Sequence, residues 1–437
     1  MRSESHTHGY RASTTRDRPE LGDSEVRQIS AYGAGALVLA LAASCASAPK
    51  EQTAAQRQEP AAEGVITPAD GATHVRPDAP ILVSAAHGTL KQVTVQAGGK
   101  PVQGRMSADR TRWRSLRNML PGRTYRVDAV IATPGGETRR TSTFTTVPAT
   151  QTFRITDLLP SKEITGDTVG VGMPIMITFD KPITDRVSVE RNLRVLTSKP
   201  VTGSWHWFDD KTVHYRPKRY WPAGTKVRVE ALLAGAPGGD GLYGDRDYVR
   251  EFRIGRSQIS TIDVRTHHMT VERNGKVIRT IPVSAGRGGV RKYHTTNGIH
   301  LAMSREDVTI MTSPDAGPGD PGYYRLTVYD TVRISNSGEY VHGAPWSVGS
   351  QGRANVSHGC VNVSPANAKW FKNHTLIGDP IIVKGSPREL EPTNGWGHWQ
   401  LSWPQWLRWS ALRIAAVTEP LPGTKHPPAA AQAPTES

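Results

Sequence analysis

Across residues 65–385 apolar and polar side chains alternate in short runs, and most of these runs are closed by Gly, Pro or Asn. Period-2 patterning of this kind predicts half-buried strands joined by tight turns and leaves little room for long amphipathic helices. Lys91-Gln-Val-Thr-Val-Gln stops short of Gly98-Gly99, and Thr124-Tyr-Arg-Val-Asp-Ala-Val-Ile stops short of Pro134-Gly135-Gly136. A chain of 437 residues with 42 Gly and 32 Pro is too long for one such domain. Length alone predicts about three. The fold class is therefore all-β dominated.

Turn signals divide the chain further. Residues 65–149 predict an immunoglobulin-like β-sandwich ending on Thr143-Phe-Thr-Thr, and residues 150–254 predict a second one ending on Glu251-Phe-Arg-Ile. Trp205, Trp207 and Trp221 are read as core or rim of the second sandwich in preference to a ligand groove. Residues 255–385 form a third β-rich unit, in which Asn274-Gly275 predicts a two-residue hairpin. Ser364 and Pro365 there predict the start of a short helix over residues 365–374. Residues 386–417 hold five tryptophans, Trp396, Trp399, Trp403, Trp406 and Trp409. Few basic residues accompany them, so packing onto the third unit is favoured over a membrane-surface helix. The Pro/Ala-rich residues 418–437 are expected to be disordered.

The N-terminal end is of another kind. An apolar core at residues 34–43 is too short to span a bilayer and fits the h-region of a signal peptide. Leu41-Ala42-Ala43-Ser44-Cys45 resembles a bacterial lipobox, with Cys45 the lipidated residue. Ala42 stands where Leu is commoner, and cleavage after Ala46 or Ala48 is the alternative. Residues 1–45 are thus read as a signal segment with a long polar start, and residues 46–64 as a flexible tether. The expected location is the cell envelope, anchored by lipid to the outer face of the cytoplasmic membrane.

The formal net charge is +15. No run of Lys and Arg reads as a recognition element, which argues against nucleic acid and leaves an anionic envelope as partner for a diffuse positive field.

Two cysteines need explaining. A bridge between Cys45 and Cys360 would tie the export segment to a distant domain. Cys360 lies in Ser357-His358-Gly359-Cys360-Val361-Asn362, downstream of Tyr340-Val-His342-Gly343-Ala-Pro-Trp346. A thiol is mostly protonated at neutral pH and needs a base before it attacks a carbonyl. His358 is two residues away, and a hairpin-like return brings His342 close. Gly359 allows a turn that exposes backbone N–H groups to a developing oxyanion. On the residues alone a nucleophile is favoured, with two other readings open. One is a buried structural thiol. The other is a zinc site with His342, His358 and His294 or His300, against which stands the lack of CxxC or HExxH spacing.

His342-Gly343 paired with Ser357-His358-Gly359-Cys360 resembles the signature of the L,D-transpeptidases, whose catalytic domain is of the YkuD type. The longer runs are similar in particular to an actinobacterial lipoprotein branch with N-terminal immunoglobulin-like domains. The resemblance implies a cysteine acyltransferase that forms 3→3 cross-links in peptidoglycan. Cys360 would attack the carbonyl between residues three and four of a donor tetrapeptide stem, releasing D-Ala, and an acceptor stem's amine would resolve the thioester. It implies His342 as the base, its other ring nitrogen held by the Gly343 carbonyl. The N–H groups of Gly359 and Cys360 and the hydroxyl of Tyr324 would form the oxyanion hole, with Tyr323 the competing tyrosine in a lid-like stretch. Ser357, His358, Asn362 and Trp346 would shape the substrate site. No metal or organic cofactor is implied, and carbapenem-type β-lactams are expected to acylate Cys360. An L,D-carboxypeptidase using water as acceptor and an inactive wall-binding scaffold are the alternatives.

Overall fold

The computed structural model describes residues 64–313 and 316–424; the expected signal segment, Cys45 and the end of the tail lie outside the described residues. The first sandwich packs two four-stranded sheets. One contains Gly64–Thr67, Leu82–Ala85, Arg112–Ser115 and Gly104–Met106; the other is built on Thr89–Ala97, Thr124–Thr133 and Gly136–Thr145, with Lys100–Pro101 at its edge. Tyr125, Val127, Ala129 and Ile131, at every second position of one strand, meet Leu90, Trp113 and Phe144 in the core, as the pleat requires.

The second sandwich has two five-stranded sheets, and the fifth strand of each comes from the far end of the chain. Ala416–Val417 pairs antiparallel with Thr202–Trp207, and Glu419–Pro420 pairs parallel with Leu193–Thr197. Trp205, Trp207 and Trp221 lie in the core, as expected. The expected disorder from residue 418 needs correction: Thr418 is 6% exposed, and its hydroxyl is hydrogen-bonded to that of Thr197 at 2.5 Å. An open sheet edge offers unpaired N–H and C=O groups, and these residues occupy it.

The Trp-rich segment, expected to pack on the third unit, docks chiefly on the second sandwich. Arg216 is 2% exposed, with its guanidinium carbon 4.7, 5.3 and 4.7 Å from the ring centroids of Trp399, Trp403 and Trp406. Its Nη2 donates to the Leu401 carbonyl at 2.8 Å. The buried Glu190 carboxylate accepts from Ser410 Oγ at 2.6 Å and Ala411 N at 2.7 Å. Each buried charge needs partners, and the C-terminal segment supplies them. Contact with the third unit is made through Gln400, whose Oε1 accepts from Ile299 N at 2.7 Å, and through residues before the tryptophans, among them Leu390, bonded to Asn297, and Asn394, whose Oδ1 accepts from Ser337 N at 2.8 Å.

The third unit joins two sheets. The larger runs Lys276–Pro282, His268–Arg273, Gln258–Asp263, Pro380–Lys384, Gly298–Leu301; the smaller runs Ser304–Thr312, Arg325–Arg333, Tyr340–Gly343, Val361–Val363. Asn274 and Gly275 have φ of 51° and 78°, the left-handed pair that the expected hairpin requires. Ser364 caps the helix Pro365–His374 by accepting from Asn367 N at 3.3 Å. Ala368 and Phe371 of that helix enter the core shared by both sheets. Gly170 and Gly172 of the second sandwich donate their N–H groups to the carbonyls of Ile377 and Gly378, seating the two units together.

Candidate active site

Parallel pairing of Tyr340–Gly343 with Val361–Val363 sets Val341 opposite Val361 and His342 opposite Asn362. Both valines are fully buried in the core. Strand alternation therefore turns His342, Asn362 and, one step before the strand, Cys360 to the other face. Cys360 lies two positions from the partner of His342, a diagonal of about 8 Å between Cα atoms at ordinary strand spacing. Diagonal pairs at that separation remain within reach of long and aromatic side chains.

His342 is 3% exposed, and its Nδ1–H donates to the Gly343 carbonyl at 3.0 Å. A carbonyl can only accept, so Nε2 carries the lone pair. Burial holds the pKa below the ordinary histidine value, with the Gly343 bond opposing. The ring is accordingly neutral at pH 7 and able to take a proton.

The Cys360 thiol points to the Gly338 carbonyl at 3.6 Å and accepts from the Tyr340 N–H. Part of the residue reaches the surface, yet the protein around the sulfur pushes the thiol up to about 12. Burial is the main cause; the charge of Glu339 adds to it and the Tyr340 N–H opposes it. At pH 7 such a thiol is protonated by roughly 10⁵ to one. The resting pair is thus neutral thiol and neutral imidazole, suited to attack coupled with proton transfer.

Ser357 shapes the turn that delivers the sulfur. Its hydroxyl donates to the Cys360 carbonyl at 2.6 Å and accepts the Gly359 N–H at 3.1 Å. Gly359 sits at φ 135°, and its carbonyl accepts from Thr295 Oγ at 2.7 Å. These bonds correct two expectations. The Gly359 N–H is satisfied within the turn and does not face an oxyanion. Ser357 and Asn362 face protein and not a ligand: Asn362 is 3% exposed and donates from Nδ2 to Ser347 Oγ at 3.1 Å. A tight turn with buried polar groups must satisfy them internally, and these two residues do so.

His358 and Trp346 are exposed at the site. The His358 ring lies 4.9 Å from that of Tyr293 and 5.4 Å from that of Tyr324. Arg287 and Lys292 stand over Tyr293 at 4.2 and 5.2 Å. Burial, followed by those two charges, holds His358 below its ordinary pKa. The Trp346 ring is 6.1 Å from that of His342. Ser313 and Tyr324 bind each other across the base of the lid-like stretch, at 3.0 and 3.1 Å. Tyr324 is the tyrosine brought to His358, while the Tyr323 N–H donates into the turn at Asp320.

Sequence reasoning overlooked Glu339, Tyr293 and Thr295. Glu339 is buried and accepts from both N and Oγ of Thr296 at 2.6 Å. It adjoins the quoted motif, so a signal was present. Thr295 lies 64 positions before the Gly359 it binds, and nothing in the chain marks that pairing. His300 is occupied by the carbonyls of Ile334 and Thr296. Among the described residues no cluster of three or more His, Cys, Asp or Glu is arranged to hold a metal ion.

Residues 72–237 match the bacterial Ig domain Big_10, and residues 257–383 match the L,D-transpeptidase catalytic domain YkuD. L,D-transpeptidase 2 of Mycobacterium tuberculosis (strain CDC 1551 / Oshkosh) is 39% identical over 342 residues, covering 77% of this chain and 82% of the relative. L,D-transpeptidase 5 of Mycobacterium tuberculosis (strain ATCC 25618 / H37Rv) is 36% identical over 396 residues, covering 88% and 84%. A solved LD transpeptidase in complex with imipenem is 38% identical over 53% of this chain and 98% of its own, with a TM-score of 0.44. With Cys360 and His342 on one face of adjacent strands, family models matching over residues 72–237 and 257–383, and relatives 36–39% identical over most of both chains, the chain belongs to the L,D-transpeptidase family.

Proposed function

We propose that this protein forms 3→3 cross-links in peptidoglycan through a thioester on Cys360, a specific form of the transpeptidation its family performs. The observation that carries this reading is the neutral His342, pinned through Nδ1 by Gly343 on the face that also bears the protonated Cys360. As the sulfur attacks the carbonyl of the third stem residue, His342 Nε2 takes the thiol proton. The same nitrogen returns it to the amine of the departing D-Ala as the C–N bond breaks, leaving the thioester. An amine of a neighbouring stem then attacks that carbonyl, and its proton passes through His342 back to the thiol. The Cys360 N–H and the Tyr324 hydroxyl donate to the oxyanion in this scheme, and His358, Trp346 and Tyr323 border the stem.

The same thiol would open the ring of a carbapenem, so such compounds act as inhibitors in this reading. Export with a lipid on Cys45 belongs to it as well, placing the enzyme on the outer face of the membrane. The sandwiches then carry the active site outward to the wall.

Incubation with a disaccharide-tetrapeptide and, separately, with meropenem tests the chemistry by mass. An adduct on Cys360 that vanishes in Cys360→Ser is expected; no adduct with either compound would end the reading. Cross-linked dimer as the main product is expected, whereas tripeptide alone would make the enzyme a carboxypeptidase.

A further inference from the structure

The first sandwich is strongly basic, with twelve Lys and Arg against five Asp and Glu over residues 64–149. All five acids are engaged elsewhere. Asp78, Asp128 and Glu137 pair with Arg76, Arg126 and Lys91. Asp70 accepts from the Thr143 N–H, and Asp109 is held by Ser107 and Thr111, feeling Arg112 least among its neighbours.

That leaves Arg105, Arg112 and Arg114 together on the outer face of one sheet. All three are exposed, and none takes part in an ion pair among the described residues. Arg105 stands directly opposite Arg114 in the strand register. Like charges in that position repel, so the sheet by itself gains nothing from the arrangement. Ser84 is opposite Arg112 and Leu82 opposite Arg114. The arginines rim a groove of about 780 Å³ whose floor includes the exposed aliphatic side chains of Val65, Leu82 and Leu116.

We infer that this groove docks the acidic peptide stems of peptidoglycan, at a second contact apart from the active site. The inference rests on the substrate reading above. Guanidinium forks match carboxylates in bidentate fashion. Arg112 and Arg114 project from one face about 7 Å apart, the repeat of alternate residues in an extended peptide. Aliphatic floor and basic rim together suit a peptide bearing both methyl groups and carboxylates, and a wall-fixed contact would hold the enzyme on its polymer between turnovers.

Co-sedimentation of the full chain with purified sacculi over a salt series tests this. The triple variant Arg105→Gln, Arg112→Gln, Arg114→Gln should bind about tenfold more weakly and with a shallower salt dependence. Ser84→Glu, which places a carboxylate among the arginines, should weaken binding likewise. Both should keep wild-type meropenem acylation of Cys360, which reports a folded enzyme. Cys360→Ala should sediment as wild type, so loss of the chemistry and loss of docking are separable. Undiminished sedimentation of both groove variants would overturn the proposal. So would unchanged sedimentation accompanied by lost binding to phosphatidylglycerol vesicles, which would make the face a membrane contact.

Discussion

The Ser357 hydroxyl donates to the Cys360 carbonyl at 2.6 Å while accepting the Gly359 N–H, so one side chain closes the turn on which the sulfur is carried. Removing it leaves a half-buried carbonyl and a buried N–H without that partner, a cost of about 1–3 kcal/mol. Ser357→Ala should lower kcat about tenfold or more with little change in KM. Steady-state kinetics on a tetrapeptide stem check this, and an unchanged kcat would remove Ser357 from the positioning of Cys360.

His342→Ala should reduce acylation about 10²–10⁴-fold at pH 7, the usual yield of a positioned base. Because the thiol is pushed up to about 12, the variant's residual rate should rise close to tenfold per pH unit between pH 7 and 10. In the wild type, burial lowers the pKa of His342, so the acid limb should fall below the ordinary histidine range. Meropenem acylation followed against pH distinguishes the two profiles.

Acid should loosen the C-terminal dock. His214 and His398 are hydrogen-bonded ring to ring at 2.7 Å, and His206 donates from Nδ1 to the Trp406 carbonyl at 2.8 Å, all beside the cationic Arg216. Burial first, then neighbouring charge, depresses all three pKa values, His398 to about 3. The unfolded chain binds these protons below pH 6.5 and the folded chain does not, so stability is full above 6.5 and declines as pH falls towards 3. The slope should approach about 1.4 kcal/mol per pH unit for each histidine. Urea midpoints at pH 7.5 and 5 measure it, and His398→Gln should flatten the dependence.

Trp406 is fully buried, stacks on His206 with centroids 4.4 Å apart, and donates from Nε1 to the Ser204 carbonyl at 3.0 Å. Trp406→Ala should cost about 3–5 kcal/mol. Truncation after residue 395 should go further, stripping an edge strand from both sheets of the second sandwich and favouring aggregation. Thermal unfolding and light scattering record both effects. Equal melting temperatures for all three proteins would show the dock to be dispensable.

Much of the site was legible because its chemistry is local in sequence. Cys360, Ser357 and Gly359 sit in one turn, and His342 with Gly343 in one strand, so each short run carries its own geometry. Asn362 was misread because the resemblance placed it at the substrate site, whereas strand pairing buries it against Ser347. Gly359 was misread because freedom of backbone does not say which acceptor its N–H will find.

The sequence by itself determined the β-rich class, the hairpin at Asn274-Gly275, the capped helix after Ser364 and a candidate nucleophilic thiol with histidines near it in the chain. Those follow from local periodicity, turn chemistry and side-chain reactivity. Only the tertiary structure decided where the chain's end goes. Ala416–Val417 and Glu419–Pro420 pair with strands more than 200 residues earlier, and Glu190 and Arg216 hold the segment there. Two-residue strands carry no periodicity to read, and a buried charge does not announce its partner until packing removes water from both.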